Sequence, residues 1–216
     1  RSTFEQMREL ASSGSKALHT RAVELANKNK VALRVLSSFN DVAGTLITSE
    51  DQIMMEAPLI SGIAFTKDEA KLTLRGVKDQ PGIASKILAP ISEASIEVDM
   101  IVQNTGADGN TDFTFTVQRS DFQTAHQLLA SVARTIEAAE VLGDERIAKL
   151  SIVGVGMRSH AGVATQMFEI LAKESINIQV ISTSEIKISV VIDEKYLELA
   201  ARALHAGFGL EVVAET

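Results

Sequence analysis

The strongest constraint in this sequence is that its back two-thirds repeats. A shift of 80 positions lays Gly82-Ile83-Ala84-Ser85 on Gly162-Val163-Ala164-Thr165, and Ser95-Ile96-Glu97-Val98 on Ser175-Ile176-Asn177-Ile178. Upstream, Leu74-Arg75-Gly76-Val77 matches Ile152-Val153-Gly154-Val155 at a shift of 78, so the second copy holds two more residues before its first helix. Self-similarity at a fixed period means one structural unit used twice.

Each copy reads strand, helix, strand, strand, helix, strand. In the first, a strand over 71–77 turns through Lys78-Asp79-Gln80-Pro81-Gly82 into a helix over 83–95. Strands over 97–104 and 111–118 flank a Gly-rich turn at 106–110 and make a hairpin. Ser120, with Gln123 at capping-box spacing, is expected to open the second helix, whose buried face is Phe122, Ala125, Leu128, Leu129 and Val132. Pro90 predicts a kink or an early end in the first helix, because an interior proline costs on the order of 3 kcal/mol. The second copy predicts strand 148–155, helix 163–175, strands 177–183 and 186–192, helix 195–206 and strand 210–214. The fold class is α+β: two ferredoxin-like βαββαβ modules, each a four-stranded antiparallel sheet with both helices on one face. Uncovered sheet edges favour pairing, module to module or in a dimer.

The front of the chain is different. Residues 3–29 carry helical periodicity interrupted by Ser12-Ser13-Gly14-Ser15, which predicts two helices. A short strand at 31–36, a loop over 37–50 and a strand at 59–66 follow; the last belongs to either module. Residues 1–48 are too few to bury their own apolar surface well. The division is a remnant of a larger domain with its linker at 1–50, a first module at 51–144 and a second at 145–216. The chain opens on Arg1 without Met, and is read as a piece or processed product of something longer.

Composition removes several function classes. There is no Cys, hence no disulfide, thiolate metal site or cysteine nucleophile, which is compatible with a reducing, cytoplasmic setting. No apolar run approaches the roughly 18 residues of a membrane span, and no secretory layout opens the chain. Net charge is −7, with seven Lys/Arg against four Asp/Glu in residues 1–48 and fourteen against twenty-four thereafter. An acidic body without a basic stripe argues against nucleic acid as a partner. Phosphate-loop, nucleophile-elbow and zinc-protease motifs are absent, and the glycines from Gly154 to Gly162 lack dinucleotide-loop spacing. His160 has no second histidine at ligand spacing, so no metal site is expected.

Chemistry therefore falls to the loop that enters each first helix. Helix N-terminal amides favour anions, and Gly82 and Gly162 allow close approach. A zwitterionic amino acid needs that for its carboxylate and an acceptor for its ammonium. Asp79 could supply the acceptor, with Gln103 and Asn104 adding amides. The same Asp-Gln-Pro-Gly residues are also ordinary turn formers. In the second copy, the loop Gly156 to Gly162 is followed on the neighbouring strand by Asn177-Ile178-Gln179 and then Ser182-Thr183-Ser184-Glu185, the last four readable as a binding rim or as a solvated hairpin turn.

Gly76 to Gly82 with Val102-Gln103-Asn104, and Gly154 to His160 with Ile181 to Ile186, resemble the regulatory tail of the aspartokinases, two ACT domains in tandem. Leu10-Ala11-Ser12, His19, Glu24-Leu25-Ala26, Leu33-Arg34-Val35 and Gly44-Thr45-Leu46-Ile47 resemble the last part of the kinase domain, so the likeness covers nearly the whole chain. It implies that lysine, threonine or both bind at ACT module interfaces. Binding would then inhibit ATP-dependent phosphorylation of the aspartate β-carboxylate in lysine, threonine and methionine biosynthesis. It implies one effector surface at Asp79, Gly82, Ala84 and Gln103. It implies a second surface or facing wall at Met157, His160, Asn177, Ile178, Ser184 and Glu185. ATP and Mg2+ are implied for the kinase domain, whose motifs these residues lack, so the chain carries no catalytic residue and is expected to be inactive alone. Its expected protein partner is a second copy or a kinase subunit. Family members usually carry Asn where Glu97 stands, and a carboxylate there repels an effector carboxylate but attracts a lysine side chain. The rival reading is an oligomerisation module that ignores amino acids.

Overall fold

The computed structural model describes residues 2–49, 60–106, 109–154 and 161–210. Two compact units are present, one of Arg1–Thr66 with Lys149–Thr216 and one of Lys67–Ala148.

The front of the chain forms β1 (Ser2–Thr3), α1 (Phe4–Ser12), α2 (Thr20–Lys28), β2 (Leu33–Val35), β3 (Thr45–Thr48) and β4 (Ile60–Thr66). The two helices part where Ser12–Ser15 predicts. A capping box starts α1: Gln6 N–H donates to Thr3 Oγ1 at 3.1 Å, and Thr3 N–H to Gln6 Oε1 at 3.0 Å. Strand β3 corrects the expected loop over 37–50. It pairs parallel with β1 and antiparallel with β2, and buries Ile47 among Phe4, Met7, Val23 and Ala26. Four residues with one fully buried anchor offer no period to read; the surrounding core decides their conformation.

The first module comprises β5 (Glu69–Lys78), α3 (Ile83–Glu93), β6 (Val98–Thr105), β7 (Asn110–Gln118), α4 (Phe122–Thr135) and β8 (Glu140–Asp144). Its sheet order is β6-β7-β5-β8, antiparallel throughout. Leu72, Leu74, Phe113 and Phe115 pack in one core with Ile83, Ile87 and Ile91 of α3 and Ala125 and Leu129 of α4. Each fully buried Leu, Ile or Phe is worth about 1.5–3 kcal/mol over exposure, which outweighs local misfits. One misfit is Pro90, past which α3 continues to Glu93 with buried Ile87 and Ile91 on either side. Another correction concerns Ser120, which does not cap α4. Residues Arg119–Asp121 form a 3-10 turn, Arg119 N–H donates to Asp68 O at 2.8 Å, and Asp121 becomes an N-cap without a side-chain bond. Ser120 is thus already inside a helical turn, where its hydroxyl is out of capping register.

The second module comprises β9 (Ile147–Gly154), α5 (Ala161–Lys173), β10 (Val180–Thr183), β11 (Lys187–Asp193) and α6 (Leu197–Gly207). Its sheet order is β10-β11-β9-β4. The position beside β9, which β8 fills beside β5 in the first module, is taken by β4. The strand that sequence left open between modules therefore pairs with the second. The expected strand at 210–214 falls almost wholly outside the described residues.

The repeat holds down to single dihedrals. Ser95 (φ 58°) and Ser175 (φ 57°) both close a helix in the left-handed region. Ile96 N–H reaches Ile91 O at 3.1 Å, and Ile176 N–H reaches Leu171 O at 2.9 Å. On β4, Gly62 faces α1, where an added Cβ would meet Leu10 Cδ2 at 3.3 Å. Strand alternation puts Gly62, Val153, Ser151, Ser189 and Lys187 on that same face of the second sheet. α1 therefore packs on this sheet as well as in its own small core.

Candidate functional site

The register of β5 on β7 ends at Lys78 opposite Asn110. That brings the loop entering α3 to the same end of the sheet as the β6–β7 hairpin. One main-chain and one side-chain bond fasten them together: Asp79 N–H donates to Gly109 O at 3.1 Å, and Thr105 Oγ1 donates to Asp79 Oδ2 at 3.4 Å. Gly82 follows at φ 87°, a left-handed conformation suited to glycine, and serves as N-cap of α3 without any side-chain bond. The amide of Ala84, at the N2 position that a capping side chain normally satisfies, therefore receives no cap.

These features meet in an open cleft of about 390 Å³ lined by Asp79, Gln80, Pro81, Gly82, Ile83, Ala84 and Gln103. All four residues expected in the first module, Asp79, Gly82, Ala84 and Gln103, are brought together here. An added Cβ at Gly82 would meet nothing within 4 Å, so the cleft is open beside the helix start. The arrangement offers amide donors and the positive end of a helix to a carboxylate, and the exposed Asp79 carboxylate to a cation. Sequence reading did not single out Thr105 and Gly109, which orient Asp79. Their signal lay in topology, since a β-α-β-β module sets that hairpin beside that loop.

In the second module the expected residues are spread along β10. Asn177 is exposed and Ile178 half-buried, just after the left-handed Ser175, whereas Ser184 and Glu185 lie past the other end of the strand. Six residues of extended chain span roughly 20 Å, so the two pairs do not meet at one point. Ser184 N–H donates to Lys187 O at 2.8 Å, closing the β10–β11 turn. Met157 and His160 lie outside the described residues. Glu97, the counterpart of Asn177, is exposed and does not line the first cleft. Among the described residues no group of three or more His, Cys, Asp or Glu side chains could hold a metal ion, and no helix is long and apolar enough to cross a membrane.

Two α+β modules, each an antiparallel four-stranded sheet carrying two helices, define a tandem ferredoxin-like class. The ACT domain family matches residues 73–132 and 150–208, one stretch in each module. An aspartate kinase of Pseudomonas fluorescens (strain SBW25) is 66% identical over 212 residues, covering 98% of this chain and 51% of its own length. Among solved structures, the aspartokinase alpha and beta subunits match at 53% identity and a TM-score of 0.65, over 69% of this chain and 99% of theirs. The ligand-free regulatory subunit of aspartate kinase from Thermus thermophilus matches at 40% identity and 0.66, over 69% and 99%. This chain belongs to the aspartate kinase family, and its two modules are the ACT domains of that family's regulatory region. It spans about half the length of the curated relatives it matches.

Proposed function

We propose that this region senses free lysine, threonine or both, and on binding them restrains phosphorylation of aspartate by the kinase it serves. The observation that carries this reading is the cleft at the start of α3, where an uncapped helix terminus and the Asp79 carboxylate flank one open space. An α-amino acid presents the two matching charges. The second module contributes Asn177 and Ile178 before β10 and Ser184 and Glu185 after it, with Met157 and His160; these residue types differ from those of the first cleft, so the two surfaces are unequal. Phosphoryl transfer, with its ATP and Mg2+, is assigned to a kinase domain and not to these residues. The expected protein partner is a second copy or a kinase subunit, in the cytoplasm.

Calorimetric titration with lysine and threonine, singly and together, tests this reading. Heats of binding and a raised melting temperature at millimolar ligand are expected; neither effect with either amino acid would sink it. A rival reading, an oligomerisation module indifferent to amino acids, draws on Ile101 and Ile181. These are exposed apolar residues at equivalent repeat positions on the edge strands β6 and β10. It predicts a sedimentation profile that amino acids leave unchanged.

A further inference from the structure

One residue ties the β10–β11 turn to the front of the chain. The carbonyl of Lys187 accepts Ser184 N–H at 2.8 Å, with the Ser184 hydroxyl at 3.5 Å from the same oxygen. Its side chain leaves the turn and sets Nζ 3.0 Å from Glu9 Oε2 on α1. Both side chains are largely sheltered, at 26% and 20% exposure. The Glu9 Oε2 atom is withdrawn from solvent, and Lys187 is its sole ion-pair partner among the described residues. A sheltered pair of this kind is costly to break, because each partner left alone would keep its charge without compensation.

The other side of α1 explains why this matters. Phe4 and Met7 are buried with Val23 of α2 and Ile47 of β3, while Leu10 lies against Gly62 of β4. α1 is therefore held in two places: in the small core of residues 2–48 and on the sheet of the second module. A shift of the Ser184–Lys187 turn would move the Lys187 main chain, and the ion pair would pass that shift to α1. The remaining polar contacts of α1, the Thr3–Gln6 capping box and Glu5 with Asn27, stay within residues 2–28 and do not reach the sheet. Among the described residues, the Glu9–Lys187 contact is the ion pair that joins α1 to the sheet.

We propose that Lys187 is a positioning residue that couples amino-acid binding at the Ser184–Glu185 turn to the placement of α1 through its ion pair with Glu9. This rests on the proposed effector role of Ser184 and Glu185. Coupling of this sort needs an element with two arrangements that the ligand distinguishes, the role assigned here to the turn together with α1.

Hydrogen exchange of this chain, read by mass spectrometry with and without saturating lysine and threonine, tests the coupling. Calorimetry on the same samples reports binding separately. In the unsubstituted chain, ligand should change the exchange of α1 amides by about threefold or more. Glu9→Gln, which keeps the shape and removes the charge, should bind ligand with an affinity within about threefold yet lose the α1 response. The charge swap Glu9→Lys with Lys187→Glu should restore that response, which a merely structural role for either residue would not. Binding without any α1 response in the unsubstituted chain, or a full response in Glu9→Gln, overturns the coupling and leaves the sensing function standing. Absence of binding heat overturns both.

Discussion

Ser151 and Ser189 set their hydroxyl oxygens 2.8 Å apart inside the second sheet, at 0% and 2% exposure. The first sheet holds the same relationship at Thr73 and Thr114, 3.0 Å apart and directly opposite in register, but only part-buried. Thr73 maps onto Ser151 by the shift of 78, so the duplicated module kept a cross-strand hydroxyl pair while changing both residue types.

Burial decides what this pair is worth. Removing one buried hydroxyl strands the other, at a cost of about 1–3 kcal/mol, whereas removing both is nearly neutral. Ser151→Ala is therefore expected to lower stability by about 1–2 kcal/mol in urea denaturation. The double variant with Ser189→Ala should cost less than twice that. Thr73→Ala should cost less than Ser151→Ala, because water can reach the stranded Thr114. Additive losses in the Ser pair would show that the hydroxyls do not depend on each other.

Two glycines with positive φ separate strain from crowding. Gly76 (φ +63°) lies in the irregular stretch of β5 between Leu74 and Val77, and donates its N–H to Asp112 Oδ1 at 2.9 Å. An alanine there would press its Cβ to 2.7 Å from Ala139 Cβ. Gly76→Ala should cost about 2–4 kcal/mol, combining backbone strain with overpacking. Gly82 (φ +87°) has open space around it, so Gly82→Ala should cost only about 1 kcal/mol. Denaturant midpoints of the two variants test the ordering, which equal losses would contradict.

The modular plan was legible because period and turn chemistry agreed along both copies. The helices expected over 83–95 and 163–175 form over 83–93 and 161–173, and with the hairpins after them they follow from apolar spacing and glycine placement. What could not be read was set by neighbours distant in sequence. β3 exists because Ile47 completes a core with Phe4 and Val23, and β4, ending at Thr66, joins β9, which begins only at Ile147. Ser120 fails as a cap because Arg119 bonds to Asp68, a contact invisible to a four-residue motif. At the site, residue types pointed to the loop before α3. The supports of Asp79 at Thr105 and Gly109 needed the register of β5 on β7.

Asp79 is exposed and carries one long side-chain contact, so replacing it tests binding with little effect on folding. A hydrogen bond to a charged group is worth about 1.5–3 kcal/mol, or roughly a tenfold to hundredfold change in affinity. Asp79→Asn should weaken lysine or threonine binding by at least about tenfold in calorimetry and leave the denaturation midpoint within about 0.5 kcal/mol. Unchanged affinity would remove Asp79 from the site.

Lys71 gives the fold a pH dependence of defined sign. It is half-buried on β5 opposite Asp144, and burial holds its pKa below the ordinary 10.5, with Asp144 opposing in part. In the window between the lowered and the ordinary value, the unfolded chain binds more protons than the folded one, so this residue's contribution to stability rises with pH. At neutral pH the ammonium is charged in both states and its desolvation cost is present in full. Lys71→Met should therefore remove that cost at pH 7, and its advantage over the unsubstituted protein should shrink as pH climbs toward 10.5. Water still reaches the side chain, so the difference should stay below about 1 kcal/mol. Asp144→Asn should move the window lower by removing the opposing charge. Urea melts at neutral pH and near pH 10 measure both effects, and an advantage of Lys71→Met that grew with pH would reverse the assignment.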